Sequence, residues 1–329
     1  ALGTWASGTP AWAVATVVGV KTTSLYEAGA AAGMDTASGD TYVSWYQNSD
    51  GSPRHFNAYL DINGGSTTIK LNARNTFGWD GGIDGTTMVF QEVPEDTGNS
   101  DLVLYDIAST SRLPEPAGLN NRFWQWGPTL SGDWVLYGEN NRRRDFSRVK
   151  LHNDSTGEER TLTESSYTAF NVWQGQVNGD YAVYSRTGRA WNVFVYQIST
   201  GIRTAVPNPN DKFNYSPAVT ADGTVYYTRS GNGCGVNVRL YRWSVLSPAD
   251  PAVLLRELPE GADITESLYA FNDGASTSLY FDRFRCGVGD SNIYRLDAAD
   301  TATAVRAFVG HGDAHAAKAI APPGARPEA

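Results

Sequence analysis

The sequence predicts an all-β fold, a β-propeller of six four-stranded blades, and three observations lead to this prediction. A glycine turn recurs six times at a spacing of about 47 residues. Each turn is accompanied by three further segments with strand character, and no amphipathic helical stretch of useful length interrupts the series. Four short strands in a repeat of this length are typical of one propeller blade. Seven blades are the alternative if the terminal strands build a composite blade.

The first element of each repeat is a turn in which glycine follows a polar residue and an aliphatic and aromatic run comes after it. Asp-Gly, Asn-Gly and Ser-Gly supply the positive φ angles that tight hairpins need. Successive copies are separated by 46, 47, 47, 44 and 51 residues. Each copy is interpreted as the hairpin between the first two strands of a blade. The six glycines are Gly39, Gly85, Gly132, Gly179, Gly223 and Gly274.

Three more strands surround each hairpin. Apolar and polar residues alternate after the glycine, as in DLVLYDI from Asp101, which predicts a strand with two packed faces. A further strand follows a glycine-containing turn, as in STGEERTLT at 155–163. An aromatic segment precedes each hairpin glycine, and we assign it as the innermost strand of its blade. Three tryptophans of these segments are expected to pack between neighbouring blades: Trp79, Trp126 and Trp173.

The unit STGEERTLTESSYTAFNVWQGQVNGDYAVYSR resembles the repeats of TolB-type propellers. In those repeats a Thr-Gly-Glu turn and a Leu-Thr pair precede an inner strand, an Asp-Gly hairpin and an aliphatic and aromatic strand. The resemblance covers about residues 30–310, although this chain has Ser-Gly-Asp or Asn-Gly-Asp where the family has Ser-Pro-Asp-Gly. The family includes proteins of envelope assemblies, propellers attached to peptidases and polysaccharide lyases. The resemblance therefore implies an architecture and not one particular reaction.

The two ends of the chain are expected to differ. Residues 1–310 are expected to form a single propeller domain, in which residues 12–27 of the N-terminal segment 1–28 supply a strand that pairs with the last blade. Such closure covers a sheet edge that would otherwise invite aggregation. Residues 311–329 are rich in Ala and Pro and lose the alternation, so they are interpreted as a tail.

The charge and the hydropathy of the chain exclude several partners. The formal net charge of −9 gives no electrostatic reason to bind nucleic acid or an anionic membrane. The longest apolar stretch, 10–20, is about half as long as a membrane span. The chain begins with Ala1, as a mature protein does after removal of a signal peptide. We expect a secreted or periplasmic monomer with no nucleic-acid partner and no membrane insertion.

The two cysteines lie in corresponding loops of adjacent repeats. Cys234 in SGNGCGVNV and Cys286 in FRCGVGDSN both fall between the second and third strands. Corresponding points on neighbouring blades can come close enough for a covalent bridge, and an oxidising compartment would let it form. We therefore predict a disulfide between Cys234 and Cys286, with two free buried thiols as the alternative.

One face of the propeller is expected to carry both the loops between second and third strands and the connections between blades. We call it the loop face, and such folds usually bind their partners there. In the third and fourth repeats this face is rich in arginine and aromatic residues. Guanidinium groups pair with carboxylates, so a glycan, an acidic small ligand or a protein is the expected partner. The alternative is that the arginines are solvated or paired with carboxylates such as Asp211 and Glu266. The candidate binding residues are Arg122, Trp124, Arg142, Arg143, Arg144, Arg186, Arg189, Trp191 and Phe213.

Among these candidates, Trp124 is expected to point to the opposite side of its strand from the core residue Trp126. It is therefore the aromatic side chain that we would test first for ligand contact.

Sequence motifs of catalysis and of metal binding are missing. There are four His, and there is no H-E-x-x-H, no G-x-S-x-G, no P-loop and no calcium loop. No metal site and no cofactor are predicted, but the sequence leaves open whether a structural calcium ion is bound. A lyase would need a cation to neutralise a carboxylate and a base, for which the weak candidates are Arg122 or Arg143 with Tyr215, Tyr269 or His55.

The sequence thus favours a secreted or periplasmic propeller that binds a ligand, glycan or protein on its loop face without catalysis. A polysaccharide-active enzyme is the first alternative, above all a lyase of acidic glycans and otherwise a glycoside hydrolase. A protein-assembly scaffold of the cell envelope is the second alternative. Whether the protein is an enzyme stays open at this point.

Overall fold

The computed structural model describes residues 17–48, 55–64, 68–96, 99–141, 146–166, 172–188, 190–209, 212–231, 233–264 and 268–298. Every regular element in these ranges is a β-strand. None of the ranges contains a helix that is long and apolar enough to cross a membrane. The strands form six antiparallel sheets, and the innermost strand of each sheet contacts the innermost strands of the two neighbouring sheets. The fold is therefore a six-bladed β-propeller, as predicted, and not a seven-bladed one.

The strands are numbered in chain order. Their bounds are β1 Val17–Lys21, β2 Glu27–Met34, β3 Thr41–Asn48, β4 Phe56–Ile62, β5 Thr68–Lys70, β6 Thr76–Asp84, β7 Thr87–Pro94, β8 Asp101–Asp106, β9 Ser111–Arg112, β10 Trp124–Ser131, β11 Trp134–Asn140, β12 Phe146–Asn153, β13 Glu159–Ser166, β14 Val172–Asn178, β15 Tyr181–Thr187, β16 Trp191–Gln197, β17 Arg203–Ala205, β18 Phe213–Val219, β19 Thr224–Ser230, β20 Arg239–Ser244, β21 Val253–Glu257, β22 Ala262–Asp263, β23 Tyr269–Asn272, β24 Thr277–Arg285 and β25 Ser291–Ala298.

The first five blades are simple meanders that run outward from the ring axis: β2–β5, β6–β9, β10–β13, β14–β17 and β18–β21. The innermost strand of each precedes the repeat glycine, which confirms the assignment made from the sequence. Gly85, Gly132 and Gly179 lie in equivalent hairpins with φ angles of 57°, 54° and 55°. A side chain at these positions would strain the backbone, so the recurring glycine has a local conformational cause.

The sixth blade joins the two ends of the described chain. Its innermost layer is split into β22 and β23, which both pair with β24, and β25 follows outward. β1 pairs antiparallel with β25, with Val18 opposite Arg295, and is the outermost strand of this blade. The strand predicted to close the ring is therefore present within residues 12–27. The predicted tail, 311–329, lies outside the described residues.

Neighbouring blades meet through aromatic and aliphatic side chains. The ring centroids of Trp126 in blade three and Trp173 in blade four lie 4.9 Å apart, and Trp79 in blade two lies 6.1 Å from Phe56 in blade one. The predicted packing of these tryptophans between blades is confirmed. The expectation for Trp124 was wrong, because Trp124 and Trp126 are two positions apart on β10 and side chains at that spacing share a face of the strand.

Each of the five continuous inner strands carries a β-bulge about halfway along its length. A bulge increases the local twist of a strand and re-aims the side chains beside it. At the bulge of β10, Gly127 has a φ of 55°, and a Cβ there would collide with the side-chain amide of Gln174 on β14. Glycine at this position therefore lets two inner strands approach closely at the ring axis.

Candidate functional site

Two buried side chains close the ring axis on the side of the first hairpins. Tyr269 on β23 donates from its hydroxyl to the carbonyl oxygen of Ile83 at 2.6 Å and accepts from the Ile83 amide at 3.0 Å. Gln176 on β14 accepts from the amides of Ala270, at 2.9 Å, and Val219, at 3.3 Å, and donates to the Ala270 carbonyl at 2.8 Å. These bonds connect blades two, four, five and six. Among the described residues, these two side chains therefore fill the axis on the hairpin side.

A small cavity lies on the axis above this closure, lined by Asp80, Gly127, Gln174 and Tyr269 among others. Burial raises the pKa of Asp80 to about 7, and the negative charge of Asp282 on β24 adds to this rise. A carboxyl group with that pKa exchanges its proton near neutral pH. The lining of this cavity thus includes a carboxyl group whose pKa is near neutral.

Replacing Asp80 by asparagine is expected to remove a pH dependence of stability. The folded-state pKa near 7 lies above the value of 3.8 for an ordinary aspartate, so the stability that this carboxyl contributes at about pH 4 is lost as the pH rises toward 7. Between about pH 4 and pH 8, the free energy of unfolding of the wild type should fall relative to that of Asp80→Asn, by at most about 4 kcal/mol. Urea unfolding followed by tryptophan fluorescence measures the difference.

Asp106→Asn is the matched control for this measurement. Hydrogen bonds from Ser109 lower the pKa of Asp106, so its contribution is present above the unfolded pKa and is lost only in acid. The difference between wild type and Asp106→Asn should therefore stay constant from about pH 5 to pH 8. If the free energies of unfolding of the wild type and of Asp80→Asn change in parallel with pH over the same range, the raised pKa of Asp80 is contradicted.

On blade three, an arginine and aromatic stack lies at the loop face. The guanidinium of Arg122 lies 5.1 Å from the ring centroid of Phe123, which meets the ring of Phe146 edge-on at 5.2 Å. Arg148 lies 4.3 Å from the Phe146 ring, and its Nε donates to the buried Glu139 at 2.7 Å. Arg148 is therefore neutralised. Arg122 is exposed and has no ion-pair partner among the described residues.

On blade four, Arg186 is exposed at the loop-face end of β15, where it pairs in register with Asn192. It too lacks an ion-pair partner within the part of the chain that the structure describes. The half-buried Trp191 begins the adjacent strand. We call Arg122, Phe123, Trp124, Arg186 and Trp191 together the arginine surface.

The remaining predicted binding residues are not part of the arginine surface. Phe213 is half-buried at the start of β18 in blade five. Arg142, Arg143, Arg144 and Arg189 lie outside the described residues. Their part in binding stays a prediction.

The weak catalytic candidates occupy three different environments. Tyr215 on β18 donates to Asp263 Oδ1 at 2.6 Å, and burial together with the charge of Asp263 raises its pKa far above the ordinary range. Tyr269 belongs to the buried closure of the axis. His55 is exposed and stacks on Phe77 at 5.6 Å beside blade two. Arg143 lies outside the described residues, and a catalytic role for any of the four stays a prediction.

Cys234 and Cys286 form a disulfide with a Cα–Cα distance of 5.9 Å, and it joins the second-to-third loops of blades five and six. This confirms the predicted pairing. Asp263 lies beside the bridge and accepts a hydrogen bond from the Gly235 amide at 3.0 Å. One ligand atom from each of Cys234, Asp263 and Cys286 lies within 4.8 Å of the others, and within the described ranges no other group of three such side chains comes this close.

The fold and this geometry define a six-bladed β-propeller whose axis is filled on one side and whose loop face carries two arginines without an ion-pair partner among the described residues. This architecture is similar to the propeller fold of solved TolB-type structures. The structure resembles TolB from Acinetobacter baumannii with a TM-score of 0.51 and 12% identity, covering 79% of this chain and 64% of that one. It resembles the TolB-type protein from Agrobacterium tumefaciens with a TM-score of 0.52 and 12% identity, covering 85% and 93%.

An oligogalacturonate lyase in complex with manganese aligns with a TM-score of 0.49 and 11% identity, covering 88% of this chain and 99% of that one. No protein-family model matches the chain. No curated protein matches it either. The similarities to the two TolB-type structures, at 12% identity, support the fold alone, and the activity has to be argued from the site.

Proposed function

We propose that this propeller binds an acidic oligosaccharide on the arginine surface and does not transform it. The observation that carries the proposal is the exposure of Arg122 and Arg186 without carboxylate partners among the described residues, in a chain with a net charge of −9. Most of the acidic surface repels an anion, so a local pair of guanidinium groups directs it to one place. Guanidinium also matches the planar carboxylate with two parallel hydrogen bonds.

The positions of the two arginines favour an oligomer over a small acid. Arg122 precedes blade three and Arg186 lies on blade four, so they belong to neighbouring blades. A chain of uronic-acid residues presents a carboxylate on each sugar and can meet both. Trp124 at the start of β10 and Trp191 at the start of β16 are half-buried, and an amphipathic ring of this kind suits the packing of a sugar ring.

The environment of the tyrosine candidates supports binding without catalysis. A general base must be ionisable near the working pH and within reach of the proton it removes. The pKa of Tyr215 is raised well beyond that range, and its hydroxyl already donates to Asp263. Tyr269 is buried and bonded to the backbone of Ile83. Both are better suited to holding blades together than to proton transfer.

The disulfide supports a place outside the reducing cytosol, and we propose that the protein works as a secreted or periplasmic monomer. Disulfides form and persist in oxidising compartments. The bridge between Cys234 and Cys286 lies on the loop face, where Cys234 is exposed to solvent. In a reducing compartment this exposed sulfur would be open to attack by thiols.

Replacing Arg122 or Arg186 by alanine is expected to weaken binding of an oligogalacturonate about tenfold, and the double variant about a hundredfold. Each loss corresponds to one charged hydrogen-bonded contact. Isothermal titration calorimetry with the purified chain measures the affinity, and a galactose oligomer of equal length, which lacks the carboxylates, should bind much more weakly. Lys70→Ala, which removes one exposed positive charge from the outer strand of blade one, is the matched control.

Three outcomes would overturn this proposal. Equal affinity for the acidic and the neutral oligomer would remove the role of the carboxylates. Wild-type affinity in the double arginine variant would place the binding site elsewhere. Steady formation of an unsaturated product, seen as new ultraviolet absorbance during incubation with the oligogalacturonate, would replace binding with the lyase alternative.

A further inference from the structure

We propose that the Cys234–Cys286 bridge is a redox-gated metal site. Reduction of the disulfide lets Cys234, Cys286 and Asp263 bind one zinc ion, with the fourth position open to water.

The three side chains are close enough to hold a tetrahedral ion once the sulfur–sulfur bond is broken and the two sulfurs move apart. One ligand atom of each already lies within 4.8 Å of the other two. Zinc at about 2.3 Å from sulfur and about 2.0 Å from oxygen holds its ligand atoms about 3.5 to 3.8 Å apart. Small side-chain rotations after reduction are therefore enough to form the site. Two thiolates and one carboxylate are a donor set that zinc accepts.

The loops that carry the ligands are held together without the disulfide. The Cys286 amide donates to the Gly261 carbonyl at 2.8 Å, and the Gly261 amide donates to the Gly235 carbonyl at 3.2 Å. The Gly235 amide in turn donates to Asp263 Oδ2 at 3.0 Å. These bonds join blades five and six beside the bridge. The two sulfurs should therefore stay close when their covalent bond is broken.

The carboxylate of Asp263 keeps the capacity to bind a metal. Its Oδ1 accepts from the Tyr215 hydroxyl at 2.6 Å and from the Ile264 amide at 2.8 Å, whereas among the described residues Oδ2 accepts one bond, from the Gly235 amide. Oδ2 therefore retains a lone pair. The bonds to Oδ1 orient the carboxylate in the way that outer hydrogen bonds orient metal ligands.

The exposure of the two sulfurs permits the redox step. Cys234 is exposed and Cys286 is half-buried, so a dithiol reductant can attack the sulfur of Cys234 and displace the sulfur of Cys286. The second thiol of the reductant then resolves the mixed disulfide. Two electrons and two protons pass from the dithiol, which becomes a disulfide, to the two cysteines. Zinc binding replaces the two thiol protons, which are released to solvent.

Cobalt(II) and zinc(II) titrations of the full chain test this site. The chain is reduced with a phosphine, desalted without oxygen and titrated with cobalt(II), whose thiolate charge-transfer absorption reports sulfur ligands. We expect one cobalt per reduced chain, displaced by zinc, and no such absorption from the oxidised chain. Asp263→Asn should weaken zinc at least tenfold, whereas Asp290→Asn, in the same loop as Cys286 but paired with Arg285, should leave it unchanged.

The variant Cys234→Ser with Cys286→Ser separates metal binding from folding. It should bind no cobalt, and its circular dichroism shows whether the propeller persists without the bridge. If the reduced wild-type chain loses structure, zinc should restore it, because the ion binds only the folded arrangement. The proposal is overturned if the reduced chain binds no more cobalt than the double serine variant. It is also overturned if zinc fails to protect a reduced chain that unfolds.

Discussion

Replacing Gln176 by alanine is expected to lower the free energy of unfolding by about 3 to 5 kcal/mol. Three buried backbone groups would lose their partner, namely the amides of Val219 and Ala270 and the carbonyl of Ala270. An unsatisfied buried polar group costs about 1 to 3 kcal/mol. Because Gln176 reaches from blade four to blade six, its loss should weaken the ring as a whole and not one blade.

Guanidinium chloride unfolding followed by tryptophan fluorescence measures this change. Gln197→Ala is the matched control, since Gln197 is half-buried and, among the described residues, its side chain bonds the side chains of Asp180 and Thr200 near the surface. It should cost less than about 1 kcal/mol. Equal effects of the two substitutions would contradict the role of Gln176 as the central connection between blades.

Replacing both cysteines by serine is expected to lower the free energy of unfolding by about 3 to 4 kcal/mol. The bridge closes a loop of 52 residues between blades five and six. On the chain-entropy model, such a crosslink restricts the unfolded chain by about this amount. The bridge also links blade five to blade six, whose outermost strand is the N-terminal strand β1.

The oxidised wild type, the reduced wild type and the double serine variant are compared by chemical unfolding in the presence of a chelator, so that no metal replaces the bridge. The reduced wild type and the double serine variant should have the same free energy of unfolding, and this value should be lower than that of the oxidised protein. A double variant as stable as the oxidised protein would show that the bridge does not stabilise the folded ring.

The repeat could be predicted because its signals are local. A hairpin that needs positive φ selects Gly132 and Gly179 wherever it recurs, and this spacing defines the blade without any knowledge of long-range contacts. The cysteine pairing followed from the same register, because corresponding loops of adjacent blades are neighbours in space. Ring closure by β1 followed from the exposed sheet edge that a propeller otherwise leaves.

The closure of the axis could not be predicted in this way. Tyr269 and Ile83 are 186 positions apart, and Gln176 and Ala270 are 94 apart. A side chain that points to the ring axis meets partners from non-adjacent blades, and the identity of those partners depends on the depth of each strand in the ring. Glutamine and tyrosine at these positions carry no periodic signal. The rise in the pKa of Asp80 depends on the same long-range geometry.

The positions of two candidate arginines were predicted, and their role in binding stays a prediction. The sequence located exposed arginines on the loop face of blades three and four, and Arg122 and Arg186 are found there. The neutralisation of Arg148 by Glu139 was missed, because it depends on the cross-strand register of β11 and β12, in which these two residues are opposite each other. The orientation of Trp124 was misjudged although strand alternation alone was enough to derive it.

A crystal structure of the protein with a bound oligogalacturonate tests the proposed function most directly. We expect carboxylates of the sugar chain within hydrogen-bonding distance of the guanidinium groups of Arg122 and Arg186, with a sugar ring packed on Trp124 or Trp191. Density for the oligomer on another face, or crystals soaked to saturation with no oligomer at the arginine surface, would contradict the account.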